Sequence, residues 1–163
     1  MIKQTGIPLC IVGCGGHAKR VLDNIQDMTD VVELYFASRD LDKAKMFSND
    51  YGGSGYFGSY EEAARDPRIQ AMYFCTPHDL HLENVKLAAH HGKHILLEKP
   101  IGRTISEGED IIKTACDANV KLMVAENFRF LPTIEKCKEL ISQGSVGELR
   151  VVRTEYEGYD AGS

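Results

Sequence analysis

Short apolar runs alternate with segments of helical periodicity from residue 7 to about residue 125. The apolar runs lie at 7–12, 31–37, 69–75, 94–97 and 120–125, and each has the length of a buried strand. A further short strand near 56–57 interrupts the glycine-rich stretch 48–59. Strands that alternate with helices are typical of βαβ units, whose parallel strands form one sheet. The pattern therefore predicts an α/β fold with a doubly wound parallel sheet.

Three segments show the spacing of amphipathic helices that pack on such a sheet. The first has apolar side chains at i, i+3, i+4, i+7 and i+10, namely Ala18, Val21, Leu22, Ile25 and Met28. A second helix is predicted over residues 79–91, and Gly92 ends it. A third is predicted to begin at Ser106, where Glu109 completes a capping box.

The pattern changes beyond residue 126. Pro132 opens a further helix, and its apolar side carries Ile134, Cys137, Leu140 and Ile141. Residues 149–156 then have the pattern of a strand, which is not stable alone and needs partners from another chain or from a continuation. We therefore expect two domains, residues 1–126 and residues 127–163, the second being the incomplete start of another α/β domain. A homo-oligomer is favoured over a monomer for the same reason.

The 163 residues carry 19 basic and 24 acidic side chains, a net charge of −5, and 43% of them are hydrophobic. This composition suits a chain with its own core and excludes a disordered or collagen-like protein. Because the sequence has no basic blocks, neither nucleic acid nor an anionic membrane is an expected partner. No apolar run reaches the ~18 residues of a membrane span. Five scattered cysteines predict reduced, mostly buried thiols in a cytoplasmic protein.

A glycine-rich loop joins the first predicted strand to the first predicted helix. It reads Gly13-Cys14-Gly15-Gly16-His17-Ala18, a G-x-G-x-x-A pattern. Such glycines permit a tight turn and let backbone N–H groups approach a pyrophosphate, which the positive end of the helix dipole also attracts. We therefore expect a dinucleotide-binding Rossmann domain in which Gly13, Gly15, Gly16 and His17 bind the cofactor. The alternative is a glycine-rich turn that only packs the helix on the strand.

The end of the second predicted strand bears on the choice between NAD and NADP. A carboxylate about 20 residues past the glycine loop would bind the adenosine ribose of NAD. The sequence instead has Ser38 and Arg39, and a guanidinium pairs well with a 2′-phosphate. NADP is therefore the preferred cofactor. NAD is the alternative, because Asp40 and Asp42 weaken the positive field and Arg39 is also compatible with a solvated strand end.

Two further loops follow the carboxyl ends of predicted strands, the edge at which open α/β sheets bind ligands. The first contains Thr76, Pro77 and His81, and the second is Glu98-Lys99-Pro100. A lysine in a closed crevice can exchange a proton with a substrate hydroxyl. From spacing alone, a solvated loop lysine is the more frequent case. No set of histidines and cysteines has metal-ligand spacing, so no metal site is expected.

Together these motifs resemble the amino-terminal half of the Gfo/Idh/MocA dehydrogenases, which include glucose-fructose oxidoreductase and inositol dehydrogenase. The matching segments are the glycine loop, Thr76-Pro77-x-x-x-His81, Gly92-Lys93-His94, Glu98-Lys99-Pro100 and Asn127-Phe128-Arg129-Phe130-x-Pro132. The glycine loop is common to many families, whereas Glu-Lys-Pro at this distance after Thr-Pro-x-x-x-His is far more specific. The similarity covers residues 7 to about 157.

The resemblance implies an NAD(P)-dependent dehydrogenase that transfers hydride between nicotinamide and a secondary alcohol of a sugar, inositol or related polyol. It implies that Lys99 is the catalytic residue and that Glu98 orients Lys99 or holds the nicotinamide ribose. A cis peptide bond between Lys99 and Pro100 is expected on the same analogy.

The resemblance also implies that Thr76, Pro77 and His81 line the nicotinamide side of the cofactor, with Asn127 and Arg129 near the domain junction. Relatives carry an extended second domain whose Asp and His complete the catalytic set. We therefore expect this chain to be a fragment that binds the cofactor but lacks much of the substrate pocket. Two alternatives remain: a stand-alone nucleotide-binding or sensing module without catalysis, and a Rossmann domain for another nucleotide-like ligand.

Overall fold

Six strands and six helices make up the described part of the chain, residues 6–26 and 31–155 of a computed structural model. The strands are β1 (Ile7–Val12), β2 (Val32–Ala37), β3 (Gly55–Phe57), β4 (Ala71–Phe74), β5 (His94–Leu97) and β6 (Leu122–Val124). The helices are α1 (Gly16–Asn24), α2 (Leu41–Asp50), α3 (Tyr60–Arg65), α4 (His81–His90), α5 (Ile105–Asp117) and α6 (Pro132–Ser142). The chain forms two units, Met1–Glu126 and Asn127–Ser163.

All six strands pair in one parallel sheet in the order β3-β2-β1-β4-β5-β6. The chain runs outward from β1 to β3 and returns to the other side of β1 with β4. This is the strand order of a doubly wound Rossmann sheet, so the predicted fold class is confirmed. The order reverses between β1 and β4, and ligands of such sheets bind outside the carboxyl ends of the strands at that point.

The sheet is buried on both faces. Successive side chains of a strand point to opposite sides, and helices pack on each side. Ile11, Phe36 and Tyr73 pack on one face with residues of α1 and α2. Val12 and Phe74 lie on the other face, in a core to which α3, α4 and α5 contribute. These five side chains are at most 5% exposed, and burying one such side chain stabilises the fold by about 1.5–3 kcal/mol.

The apolar pattern located the sheet well. The predicted strands 7–12 and 94–97 coincide with β1 and β5, and the other three long runs form strands one to three residues shorter than predicted. The first predicted helix corresponds to α1, which ends at Asn24, and Met28 lies outside the described residues. The second corresponds to a 3-10 turn, His78–Leu80, followed by α4.

The hydrophobic pattern did not identify α2 and α3, whose starts are set by capping side chains. Asp40 caps α2 by accepting the backbone N–H of Lys43 at 3.3 Å. Ser59 caps α3 by accepting the N–H of Glu62 at 3.1 Å, and the Glu62 carboxylate accepts the N–H of Gly58 at 3.0 Å. Ser-x-x-Glu is a capping-box pattern, so the sequence did contain a signal for α3.

The capping box predicted at Ser106 and Glu109 is wrong. The N-cap is instead Thr104, two residues before Ser106. It has an extended conformation, and its hydroxyl accepts the N–H of Glu107 at 3.2 Å. The Glu107 carboxylate in turn accepts the N–H of Arg103 at 2.8 Å. Thr104-x-x-Glu107 repeats the same pattern two residues upstream, and there the capping side chain precedes the first helical residue.

The second unit contains a 3-10 turn, Asn127–Phe130, and the predicted helix after Pro132, which is α6. The strand predicted at 149–156 does not form over residues 149–155, and Tyr156 lies outside the described residues. A strand requires a hydrogen-bonded neighbour, and no described residue pairs with this segment. Val151 and Val152 are accordingly exposed, by 83% and 66%.

The five cysteines are free thiols, but the prediction that most are buried is wrong. Cys10 is buried, Cys14 and Cys75 are partly buried, and Cys116 and Cys137 are exposed. Within residues 6–26 and 31–155, no helix combines the length and the apolar character needed to cross a bilayer.

Candidate cofactor and catalytic site

Strand register brings the predicted site loops to one edge of the sheet. Val12 is paired with Ala37 of β2 and with Phe74 of β4, which is paired with Leu97 of β5. These four residues are the last of their strands, so the loops that follow them leave the sheet side by side. All four loops begin with a backbone hydrogen bond to a neighbouring strand: from Gly13 to Ala37, from Ser38 to Phe57, from Cys75 to Val12 and from Glu98 to Phe74.

The glycine loop has a tight side and an open side. Gly13 has a φ of +95°, and a Cβ there would lie 3.2 Å from the carbonyl oxygen of Cys75 and 3.2 Å from Cγ2 of Thr76. Apart from the adjoining residues and the helix's own backbone, a Cβ on Gly15 or Gly16 would meet no atom within 4 Å. Gly13 therefore allows the turn, whereas Gly15 and Gly16 keep the space in front of the helix clear.

This open side suits the pyrophosphate of a dinucleotide. Gly15 is the N-cap of α1 and has no side chain to occupy the first N–H groups of the helix. The first turn contains no acidic residue, so no carboxylate of the helix itself occupies these donors. The residues present therefore fit an anion at the start of α1.

At the end of β2, the structure separates the two residues predicted to bind the adenosine end. Ser38 is 8% exposed, and its hydroxyl accepts the backbone N–H of Asp40 at 3.1 Å. Arg39 is exposed. Burial raises the pKa of Tyr60, and the positive charge of nearby Arg39 opposes that rise. Arg39 thus presents a cationic group at this edge, while Ser38 stabilises the turn.

The loop after β4 is held from the inside by two buried polar side chains. Asn84 of α4 donates to the Thr76 hydroxyl at 2.7 Å, and both residues are less than 10% exposed. His81 is 1% exposed; its Nδ1 lies 3.0 Å from the carbonyl oxygen of Pro100, and its Nε2 lies 3.3 Å from that of Thr76. His81 therefore joins the Thr76 loop to the Lys99 loop, a role that the sequence did not indicate. Pro77 is exposed beside them.

Three groups surround the Glu98 carboxylate at this edge. Its Oε1 accepts a short hydrogen bond from the Tyr73 hydroxyl and lies 2.8 Å from Nε2 of His17. Its Oε2 accepts the backbone N–H of Lys99 at 3.2 Å. The Glu98 residue is only 9% exposed, so these contacts take the place of water around the carboxylate.

These contacts keep Glu98 ionised. Burial alone would raise the pKa of the Glu98 carboxyl, but the contacts with Tyr73, His17 and the Lys99 amide lower it by more than burial raises it, and the net pKa falls below its ordinary value. Burial raises the pKa of the Tyr73 hydroxyl, and the neighbouring groups Cys75 and Glu98 raise it further. Tyr73 is therefore a donor to a carboxylate at neutral pH.

Lys99 is exposed at the end of the same loop. The peptide bond between Lys99 and Pro100 is cis, as the resemblance implies. Among the described residues, no hydrogen-bond or ion-pair partner of the Lys99 ammonium is found. The ammonium group is thus available to a ligand at the carboxyl edge of the sheet.

Asn127 and Arg129 lie in the other unit, where both are exposed and the Arg129 guanidinium lies 5.4 Å from the centre of the Phe130 ring.

Burial raises the pKa of the Cys14 thiol to about 11 and that of the Cys75 thiol to about 12. Both are therefore protonated and weakly reactive at neutral pH. Within the described residues, no group of three or more His, Cys, Asp and Glu side chains could hold a metal ion.

Two positioning residues, Tyr73 and Asn84, were missed by sequence reasoning. Tyr73 lies in an otherwise apolar strand, and Asn84 lies on the buried face of α4. A buried polar group requires a partner, so a polar side chain at a core position is the signal that could have identified both. The sequence could not indicate which partner each would find.

Comparison with known proteins gives the same architecture. The sequence profile of the Gfo/Idh/MocA family, an oxidoreductase family with an NAD-binding Rossmann fold, matches residues 7–126. The chain is 38% identical over 120 residues to trans-1,2-dihydrobenzene-1,2-diol dehydrogenase of Xenopus tropicalis, covering 74% of this chain and 36% of that protein. The chain thus spans just over a third of the length of the curated relatives that it matches.

Solved structures agree with the sequence matches. Apo scyllo-inositol dehydrogenase from Lactobacillus casei superposes with a TM-score of 0.78 at 26% identity, covering 89% of this chain and 44% of that one. The WlbA dehydrogenase from Bordetella pertussis, in complex with NADH and UDP-GlcNAcA, gives 0.77 at 26% identity, covering 88% and 43%. A 3-ketoreductase from Actinomadura kijaniata, in complex with NADP and TDP-benzene, gives 0.77 at 28% identity, covering 88% and 44%. The chain therefore belongs to the Gfo/Idh/MocA oxidoreductase family, through its NAD(P)-binding Rossmann domain.

Proposed function

We propose that this chain is the cofactor-binding part of an NAD(P)-dependent dehydrogenase that acts on a secondary alcohol of a sugar, inositol or related polyol. Two of its relatives are named for such compounds, a dihydrobenzene diol and scyllo-inositol. Both names describe rings with hydroxyl groups on neighbouring carbons. A cyclic compound with adjacent secondary alcohols is therefore the substrate class that we favour.

One observation carries the proposal: the clear space in front of Gly15 and Gly16 at the start of α1. A side chain at either position would occupy the volume that a pyrophosphate needs for contact with the backbone N–H groups. We propose that Gly13, Gly15 and Gly16 hold the cofactor there and that Thr76 and Pro77 border its nicotinamide. The roles expected of Asn127 and Arg129, which belong to the second unit, stay predictions from the resemblance.

Lys99 is the residue that we propose binds the substrate hydroxyl and exchanges its proton. Its ammonium lies on an exposed loop whose backbone N–H is fixed by the Glu98 carboxylate. A bound nicotinamide supplies the centre that accepts or delivers hydride. A fixed loop is useful here, because proton transfer requires the lysine within hydrogen-bond reach of the hydroxyl.

For the cofactor we propose a preference for NADP over NAD. Arg39 is exposed at the end of β2, where a carboxylate would bind the ribose hydroxyls of NAD. The nearest acidic residue, Asp40, already accepts the backbone N–H of Lys43 as the cap of α2. The Arg39 guanidinium is thus available for a 2′-phosphate, whereas the Asp40 carboxylate is already engaged as a helix cap.

We propose that residues 127–163 belong to a substrate and oligomerisation domain. We also propose that the active enzyme is a homo-oligomer. The described part of this unit exposes several apolar side chains, among them Phe128, Phe130, Val151 and Val152. Clusters of exposed apolar side chains mark sites of interaction with a partner in soluble proteins. The free cysteines suit a reducing compartment, so we propose a cytoplasmic location.

The test is a titration of the chain with NADPH and NADH, followed by fluorescence and thermal unfolding. A ligand that binds only the folded state at 100 times its dissociation constant should stabilise it by about 2.7 kcal/mol. ADP serves as a control that carries a pyrophosphate without a nicotinamide. If neither nicotinamide cofactor changes the melting temperature of a folded sample, the proposed function is wrong. Stabilisation by ADP alone would favour a nucleotide sensor instead.

A further inference from the structure

The Glu98 carboxylate joins three parts of the chain that are distant in sequence. His17 reaches it from the first turn of α1, Tyr73 from β4, and the Lys99 N–H from the loop after β5. One of these groups, the His17 imidazole 2.8 Å from the carboxylate, lies on the helix that begins at the glycine loop, and another, the backbone N–H, belongs to Lys99 itself. A single side chain thus connects the two loops to which the proposed function assigns cofactor and substrate.

This connection is stronger than an ordinary surface contact. The Glu98 side chain is only 12% exposed, whereas the His17 side chain is 44% exposed. Exposed ion pairs contribute little, because water competes for both partners. Here water has little access to the carboxylate, and losing the imidazole that lies 2.8 Å from it would leave a buried carboxylate oxygen with fewer partners.

We propose that His17 is a positioning residue for Lys99. Its imidazole fixes the Glu98 carboxylate, which holds the backbone N–H of Lys99 and so sets where the Lys99 loop leaves the sheet. His17 acts through Glu98, and this role replaces the direct cofactor contact that the glycine-loop pattern suggested. The use of Lys99 in catalysis rests on the proposed function, whereas the link from His17 to Lys99 does not.

A functional consequence follows from the position of His17 in the first turn of α1. Any ligand that orders this turn also orders His17, and through Glu98 it orders the Lys99 loop. Coupling of this kind is reciprocal, since two sites linked through one element affect each other equally. Removing the His17 donor should therefore disorder the Lys99 loop and weaken the binding of a dinucleotide at α1.

His17 is a better position for a test than Tyr73. Tyr73 is 5% exposed and packs in the core, so its replacement would leave a cavity as well as remove a hydrogen bond. The half-exposed His17 can be changed with little effect on the core. His17→Leu removes the imidazole and keeps a similar side-chain volume. His17→Ala removes it and introduces alanine, which strongly favours the helix. His17→Gln retains an N–H donor, and His90→Leu, at the exposed end of α4, is the matched control.

The first arm of the test requires no ligand. Backbone amide exchange of Lys99 and the titration midpoint of the Glu98 carboxyl are measured by NMR on the whole chain. In His17→Leu and His17→Ala, exchange of the Lys99 amide should be about fivefold faster, as for the loss of one supporting hydrogen bond. The Glu98 midpoint should rise toward its ordinary pKa of 4.5. His17→Gln should recover most of the Lys99 protection, and His90→Leu should match the wild type.

The second arm measures dissociation constants for NADPH. Removal of the donor should weaken binding about fivefold, and His17→Gln should restore most of the loss. If the donor-free variants leave both NMR signals at the values of His90→Leu, His17 does not position Lys99, whatever the ligand data show. If the wild type binds neither NADPH nor NADH, the proposed function fails, while the NMR arm still decides the role of His17.

Discussion

Gly13 and Gly16 belong to one motif but serve different purposes. Gly13 has a positive φ and lies against Cys75 and Thr76, whereas a Cβ on Gly16 would meet only open space. The first glycine is therefore required by the fold, whereas the proposed function assigns the second to a ligand that approaches the backbone. This difference separates the Rossmann turn from the cofactor site.

Gly13→Ala and Gly16→Ala should therefore have opposite effects. Gly13→Ala should lower the free energy of unfolding by at least about 1 kcal/mol, the cost of a left-handed conformation for a residue with a Cβ. Gly16→Ala should leave stability unchanged or slightly raised, because alanine favours the helix, yet it should weaken NADPH binding by at least ~tenfold. Urea unfolding and fluorescence titration measure the two quantities. Undiminished NADPH binding by Gly16→Ala would contradict the assignment of the open side.

Arg39→Asp should reverse the cofactor preference. The variant removes the charge-assisted hydrogen bond that we propose to the 2′-phosphate, worth about 1.5–3 kcal/mol, and supplies a carboxylate for the ribose hydroxyls of NAD. The ratio of NADPH to NADH affinity should fall by more than ~tenfold. Arg65→Asp, on the exposed surface of α3, is the control for the change in net charge. Equal ratios in wild type and Arg39→Asp would remove Arg39 from the site.

Glycine loops and the Glu-Lys-Pro tripeptide are visible in the sequence because each is a local pattern. The contacts of Glu98 with His17 and Tyr73 join residues 81 and 25 positions apart, so no local pattern could reveal them. His81 illustrates the same limit. The sequence marked it for the nicotinamide side, but only the fold shows that both ring nitrogens face backbone carbonyls.

Individual helices and strands depend on two kinds of signal, apolar spacing and capping. Apolar spacing located the long strands, since their side chains fill the core on both faces of the sheet. It did not locate α3, which has six residues and is too short to show helical periodicity. The segment at 149–155 shows the converse, because strand composition without a pairing partner does not produce a strand.

The start of α5 gives a direct test of the capping assignment. Thr104→Ala removes the hydroxyl that accepts the Glu107 N–H and should cost about 1 kcal/mol of unfolding free energy. Ser106→Ala changes a residue already inside the helix and should have an effect within about 0.5 kcal/mol. Urea unfolding of both variants measures the difference. A larger loss for Ser106→Ala would restore the capping box expected from the sequence.

For the chain as a whole, stability should depend on pH through three carboxyl groups. Hydrogen bonds from Arg68 lower the pKa of Asp66, and hydrogen bonds from Arg103 lower that of Glu107. For Glu98, burial opposes the shift, but donation by Tyr73 and His17 lowers the pKa overall. Each carboxyl therefore holds its proton less tightly in the folded state than in the unfolded state.

The sign of the pH effect follows from proton binding. Below about pH 4.5 the unfolded chain takes up protons that the folded chain still excludes, so acid favours unfolding. The melting temperature should thus vary little between pH 7 and pH 5 and then fall steadily below about pH 4.5. Asp66→Asn should flatten part of this decline. A melting temperature that stays constant down to pH 3 would contradict the three assignments together.

The uneven exposure of the five thiols has a practical consequence for work on this protein. Air oxidation acts first on Cys116 and Cys137, which are exposed, and last on Cys10, which lies in the core. A disulfide-linked dimer on a non-reducing gel would therefore report surface chemistry during storage rather than native assembly. Sedimentation in the presence of reductant, with both surface cysteines replaced by serine, is the appropriate measure of subunit number.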